Sequence, residues 1–192
     1  MNELFFDFES TLQSSYNSMK ARVSLCVACP LALTRSKVVF GSGNIENPEI
    51  AFVASAPESI DEAANMPFSG HKWAFLKAFL AEREIIDRCF FTNALLCKTD
   101  LKPTLFDVNM CAQHLKAQLL LVKPRIIIIL GQVAALTLQN KYTTHDAINL
   151  EKNMVWRNIR IFQTYHPEDE YENIESKILK NIEEYIKYKE EK

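Results

Sequence analysis

Apolar positions along this chain follow two rhythms. Near the N-terminus, Leu4, Phe5, Phe8, Leu12, Tyr16, Met19 and Val23 recur mostly at intervals of three and four, which predicts an amphipathic helix over residues 1–24. The rhythm then breaks into short, unbroken apolar runs. Ile50–Ala54 and Ile126–Leu130 carry no polar face at all, the mark of strands covered on both sides within a parallel sheet. Arg88–Asn93 and Asn158–Tyr165 read as two more strands, the first ending in Thr92-Asn93 and the second running into His166-Pro167. Helical spacing returns between them. Trp73, Leu76, Phe79 and Leu80 mark one face of a helix over 71–83, and Val108, Cys111, Leu115, Leu119 and Val122 mark one over 105–122. Residues 132–140 and the charged stretch 171–192 predict two further helices. Residues 34–44 read as a short strand closing in a turn at Gly41 and Gly43, and 141–156 as polar and irregular. Strands alternating with helices predict a single α/β domain over residues 1–192, a three-layer αβα sandwich around a mostly parallel four-stranded sheet.

The Ile50–Ala54 run stops abruptly at Ser55-Ala56-Pro57-Glu58, and Pro67-Phe68-Ser69-Gly70 follows closely. In open α/β sheets, ligands bind in the crevice outside the carboxyl ends of the strands. Candidate site residues should therefore gather from residues 54–58, Phe68, Asn93 and His166. Each has a plainer alternative: Phe68 as core, Asn93 as a cap or turn residue, and His166 as an ordinary loop histidine. His71 and His114 fall on helices and His145 in a polar loop, with nothing to assign them chemistry.

Composition adds exclusions. The 192 residues are 48% apolar and 24% charged, with a net charge of −2, so bulk charge gives no push toward nucleic acid. From Glu168 onward there are nine acids and five lysines, a solvated face and no nucleic-acid grip. No run of about twenty apolar residues offers a membrane span. The acidic start, Met-Asn-Glu-Leu-Phe-Phe-Asp, is unlike a signal peptide, and a cytoplasmic monomer is expected.

The five cysteines, Cys26, Cys29, Cys89, Cys97 and Cys111, are an odd number, which argues against a disulfide framework and for metal or redox chemistry. Cys26-Val27-Ala28-Cys29 is a C-x-x-C pair, but it follows a helix and runs into Pro30, unlike a thioredoxin-type dithiol. Cys89 lies inside a strand and reads as a plain buried thiol. Cys111 faces inward on its helix, within reach of a site shared with Cys97 and the Cys26/Cys29 pair. Four thiolates suit tetrahedral zinc or an iron–sulfur cluster. Cys97 and Cys111 are thirteen residues apart rather than a second C-x-x-C, which favours a cluster and leaves zinc open.

The order of these features is specific: C-x-x-C; Thr34-Arg35 with Val38-Val39-Phe40-Gly41-Ser42-Gly43; a strand into Ala56-Pro57; Pro67-Phe68-x-Gly70; Thr92-Asn93 with Cys97; Cys111; Ile127-Ile128-Ile129-Leu130-Gly131; Thr164-Tyr165-His166-Pro167. In this order the chain resembles the iron–sulfur, family-four uracil-DNA glycosylases over roughly residues 24–168. The resemblance implies a DNA repair hydrolase that excises uracil, or a related deaminated base, from single- or double-stranded DNA. It implies that Cys26, Cys29, Cys97 and Cys111 hold a structural 4Fe–4S cluster. It implies that Phe68 stacks on the uracil ring, that Asn93 reads O4 and N3–H, and that His166 sits by O2, where charge grows as the glycosidic bond breaks. Ala54, Ala56, Pro57 and Glu58 would place backbone groups and the attacking water near the sugar. Such an enzyme must take the base out of the stack and read it in a pocket.

The chain also departs from that pattern. Ser55 stands where the family's first motif has its Glu, so the catalytic positions become His166, Asn93 and Ser55. Glu58 replaces a Gly, Lys72-Trp73 replaces Ala-Gly, and Glu168-Asp169-Glu170-Tyr171 replaces small and apolar residues after His-Pro, leaving Tyr171 to wedge into a duplex. Asp61 and Glu62 match acidic positions of the pattern. Three expectations follow: an active glycosylase; a diverged, catalytically weak or inactive iron–sulfur member that binds nucleic acid or a partner; and a redox protein.

Overall fold

The computed structural model describes residues 2–139, 154–169 and 172–190, with the side chains of 11–138, 155–169 and 172–187. Among the described residues there are six α-helices and six strands: α1 (Asn2–Ser24), β1 (Ser42–Gly43), β2 (Ile50–Ala54), α2 (Ser59–Ala64), α3 (Ala74–Glu82), β3 (Cys89–Asn93), α4 (Leu105–Val122), β4 (Ile126–Leu130), α5 (Gln132–Gln139), β5 (Met154–Trp156), β6 (Ile159–Thr164) and α6 (Ile174–Glu190). The strands form one sheet in the order β1-β3-β2-β4-β6-β5. The four inner strands are parallel and are the four read from the sequence; β1 and β5 add antiparallel edges.

All five residues of β2, β3 and β4 are buried, as the unbroken apolar runs of β2 and β4 require. Alternate residues point to opposite layers. Ala51, Val53, Phe90, Ile127, Ile129 and Ile161 pack with Tyr16 of α1, Leu115 and Leu119 of α4 and Ala134 of α5. Ile50, Phe52, Phe91, Ile128 and Phe162 pack with Leu76 and Leu80 of α3 and Ile178 and Ile182 of α6. The three-layer αβα sandwich is therefore present.

Two expectations are corrected at the sheet edges. The strand expected over 34–44 shrinks to Ser42–Gly43. Val38, Val39 and Phe40 are buried but run irregularly, with only Val39 N donating to Leu96 O across that stretch (2.8 Å). The end of the stretch expected to be irregular, Met154–Trp156, is a strand paired with β6. Arg157 and Asn158 join them with φ of 47° and 68°, the left-handed pair of a two-residue hairpin. Apolar content alone did not reveal either edge, because pairing there depends on a neighbour and a turn. The helix expected from residue 71 opens as a 3₁₀ turn, His71–Trp73, before α3. Asn140, the loop with His145, Glu170 and Tyr171 lie outside the described residues.

A buried amide ties α4 to β3 and to the segment before β1. Gln118 of α4 is fully buried, and its Oε1 accepts from Gly41 N at 2.9 Å and from Thr92 Oγ1 of β3 at 3.2 Å. Among the described residues, no helix is long and apolar enough to cross a membrane.

Candidate functional site

The carboxyl ends of β2, β3 and β6 meet at one end of the sheet. A cavity there is lined by Ser55, Ala56, Pro57, Glu58, Lys72, Lys98, His166 and Glu168, among others. It thus brings together four of the five residues expected from the loop after β2, with His166. Ala54, the last residue of β2, pairs in register with Asn93, the last of β3. The two loops leave in step, since Ala94 N donates to Ala54 O (2.8 Å) and Leu95 N to Ser55 O (3.0 Å).

Asn93 is 2% exposed, and its Nδ2 has no hydrogen-bond partner among the described residues. A buried unpaired donor costs roughly 1–3 kcal/mol, and folds tolerate one chiefly where a ligand or water completes it. A cap or turn role, the alternative weighed from sequence, works through the amide oxygen and would leave Nδ2 still in need of a partner.

Phe68 is 1% exposed and belongs to the core on the α3 side. Its ring lies 4.3 Å from Trp73 and 5.2 Å from Phe91, centroid to centroid. Its φ of 60° is in the left-handed region, which costs a non-glycine residue roughly 1–2 kcal/mol. Packing holds it there. Trp73 in turn meets the His166 ring edge-on at 5.4 Å, so Phe68, Trp73 and His166 form one aromatic wall, of which His166 lines the cavity and Phe68 and Trp73 lie in the core behind it.

His166 opens a tight turn with Pro167 in its second position, closed by Asp169 N donating to His166 O at 3.0 Å. Asp169 Oδ2 accepts from His166 N at 2.7 Å, and Glu168 N donates to His166 Nδ1 at 3.3 Å. A ring nitrogen that accepts a backbone N–H carries no proton, so the hydrogen-bond pattern assigns the neutral tautomer with its donor at Nε2. Burial first, then the Lys72 charge, pull the His166 pKa below its ordinary value, against the opposing charges of Glu168 and Asp169. Gly131, with φ of 87°, lets β4 pass under this ring: a Cβ there would lie 2.9 Å from His166 Cβ.

The acids of the first loop turn out to be structural. Asp61 is 1% exposed; its carboxylate accepts from Glu58 N at 2.8 Å and from Ser69 N at 2.6 Å. One buried carboxylate thereby fixes both the loop after β2 and the loop that carries Phe68. Glu62 accepts from Ser36 N at 3.0 Å and anchors the segment near the cysteines. The signal for Asp61 was available as the spacing Glu58-x-x-Asp61 at a helix start. Lys72 has no such signal. Its Nζ lies 3.0 Å from Glu58 Oε1 and 2.9 Å from Glu168 Oε1, joining three of the departures from the expected pattern.

A second cavity collects Cys26, Cys29, Cys97 and Cys111, together with Arg35 and His114. Cys89 stands apart in β3, its Sγ donating to Ile85 O at 3.2 Å, as a plain buried thiol would. Three sulfurs have nitrogens against them, two of these being N–H donors. Arg35 Nη1 is 3.2 Å from Cys97 Sγ, Leu96 N is 3.3 Å from Cys111 Sγ, and His114 Nε2 is 3.3 Å from Cys26 Sγ. Burial pushes the thiols of Cys29 and Cys97 up, and that of Cys111 up to about 12. His114, given no chemistry from sequence, sits three residues after Cys111 and so shares its helix face. Among the described residues, no three His, Cys, Asp or Glu side chains close around a single ion.

Comparison with known proteins places this geometry among relatives. Residues 40–187 match the uracil DNA glycosylase superfamily. A type-4 uracil-DNA glycosylase of Thermotoga maritima is 33% identical over 116 residues, 59% of this chain and 60% of the relative. Type-4 uracil-DNA glycosylases of Archaeoglobus fulgidus and Sulfurisphaera tokodaii are 29% and 28% identical over 166 residues, 80% of this chain and 81% and 74% of theirs. The chain therefore spans about three fifths of the first relative and more of the other two.

Proposed function

The chain belongs to the uracil DNA glycosylase superfamily, and from that premise we propose that it releases uracil from DNA by hydrolysing the N-glycosidic bond. The observation that carries the proposal is the buried, unpartnered Nδ2 of Asn93 at the strand ends. Uracil O4 is an acceptor for that donor, and uracil N3–H is a donor for the amide's oxygen. Cytosine presents the reverse at both positions, so the amide discriminates between them. Phe68 supplies an apolar face to the ring from the aromatic wall.

In the proposed reaction, water adds to the sugar C1′ as the bond to N1 breaks, its surplus proton passes to solvent, and the released uracil anion is later protonated from solvent. N1 takes the electron pair, and negative charge spreads onto O2 and O4. The neutral Nε2–H of His166 would face O2 and donate as that charge grows. A preorganised donor of this kind is worth roughly 3 kcal/mol of transition-state stabilisation. Ser55 has no carboxylate to activate the water, so stabilising the departing base carries most of the catalysis.

The proposal includes a 4Fe–4S cluster held by Cys26, Cys29, Cys97 and Cys111. The residues fit: four thiols share one cavity, and two of them, Cys97 and Cys111, receive N–H donors of the kind that stabilise cluster thiolates. Cys97 and Cys111, on a loop and a helix rather than in a second C-x-x-C, favour the cluster over a single zinc ion. Its contribution when bound is structural, tying the segments around Cys26, Cys97 and Cys111 together.

The test is uracil release from a single-stranded uracil-containing oligonucleotide, read as alkali-sensitive strand cleavage with metal-loaded protein. Release supports the proposal. No release from folded, loaded protein overturns it in favour of the second reading, a diverged member that binds nucleic acid or a partner without chemistry. Ser55 and the ion pairs across the cavity mouth are the observations on that side.

A further inference from the structure

Lys72 is unusual among the surface cations of this chain. Its side chain is only 18% exposed and lies between two carboxylates on different loops, Glu58 after β2 and Glu168 after β6. Its Nζ also stands 5.6 Å from the centroid of the Trp73 ring, and Trp73 meets His166 edge-on. With two carboxylates already on its ammonium, Lys72 is poorly placed to serve as a free phosphate contact.

Glu168 is the link to the imidazole. Its backbone N donates to His166 Nδ1 at 3.3 Å, and its Oε2 lies 3.5 Å from the same nitrogen. A carboxylate that close to Nδ1 would ordinarily invite a proton onto it. That proton would displace the Glu168 N–H bond and turn His166 into a cation. Lys72 engages the other oxygen of Glu168 and opposes this.

We propose that Lys72 is a positioning residue: by clamping Glu168 against Glu58, it holds the 166–169 turn so that His166 is kept as the neutral Nε2–H tautomer, with Nδ1 accepting from Glu168 N. Three departures from the expected pattern, at positions 58, 72 and 168, then form one device. The charged groups around the imidazole are Lys72 from the turn before α3, and Glu168 and Asp169 from its own turn. Glu58 lies one step out, and Lys98 and Asp100, paired with each other, line the same cavity. Partial burial pushes the Glu168 carboxyl up, but the Lys72 hydrogen bond and charge outweigh it and hold the carboxyl below its ordinary value. Burial and the Lys72 charge both lower the His166 pKa.

The role in base release rests on the proposed function, whereas the role on the imidazole does not. The experiment therefore reads the imidazole directly, by nitrogen and proton NMR of histidine-labelled full-length protein, with His166 assigned from H166Q. In the wild type, His166 should show the Nε2–H tautomer. K72M should raise the pH at which His166 titrates, because a nearby positive charge is lost. E168Q, which keeps the shape and removes the carboxylate, should lower it, and K72R should restore the wild-type midpoint. Opposite shifts from two partners of one ion pair are not produced by a general loosening of the fold. If K72M does not fold, E168Q and K72R decide. An Nδ1–H tautomer, or a His166 midpoint that E168Q leaves unmoved or that K72M leaves unmoved, overturns the proposal.

The activity arm follows. The acid limb of uracil release should move to higher pH in K72M and return in K72R. His166 shifts without any release by the wild type would count against glycosylase activity and leave the positioning role standing. Release whose acid limb ignores K72M would overturn the role in catalysis.

Discussion

Replacing Asn93 by alanine separates folding from function. Asn93 is 2% exposed with Nδ2 unpaired, and such a donor destabilises the fold by roughly 1–3 kcal/mol. Truncation removes that penalty and leaves a small void, costing about 1–2 kcal/mol in lost packing. The two effects oppose, so stability should fall by no more than about 1 kcal/mol, a Tm drop within roughly 4 °C for a chain of this size. The effect on uracil release should be far larger. Two hydrogen bonds from the amide to the base, at about 1.5 kcal/mol each, sum to about 3 kcal/mol, or about 150-fold in kcat/KM. The assay pairs initial rates on the uracil oligonucleotide with thermal melts of the same preparations. A loss below about fivefold would show that the amide does not touch the base. A Tm drop above roughly 10 °C would show that Asn93 serves the fold instead.

Gly131→Ala should disturb His166 specifically: the new Cβ meets the His166 Cβ at 2.9 Å, at a φ of 87° that alanine resists. A fall in uracil release beyond a stability loss of roughly 1–2 kcal/mol is expected, measured by rates and melts together. Gln118→Leu leaves Gly41 N and Thr92 Oγ1 without their buried acceptor. It should cost roughly 2–4 kcal/mol and lower Tm by about 10 °C, and an unchanged melt would reject the buried network as a source of stability. Cys97→Ser should bleach the visible absorbance of cluster-loaded protein and lower its stability, whereas Cys89→Ser should leave the absorbance intact. A full spectrum in the first would reject that ligand set.

The sequence alone determined the inner frame, because burial leaves its mark on composition. Ile50–Ala54 and Ile126–Leu130 are apolar throughout because helices cover both faces of the sheet, and α4 has the bounds its spacing predicts. The strand ends also pointed to the cavity that Ser55, Ala56, Pro57, Glu58 and His166 line. The edges were less legible. β1 is two residues long and β5 three, too short for any period, and each exists because a neighbouring strand offers hydrogen bonds.

Contacts between loops were decided by the tertiary structure. Nothing at position 72 announces that its ammonium will lie between residues 14 positions before it and 96 after it. Nothing at position 93 reveals that its amide will be buried without a partner. Local spacing encodes which face of a helix or strand is apolar, because neighbours in sequence share that geometry. Which side chains meet across the cavity depends on how separate strands bring their ends to one place, and that is fixed only when the sheet is assembled.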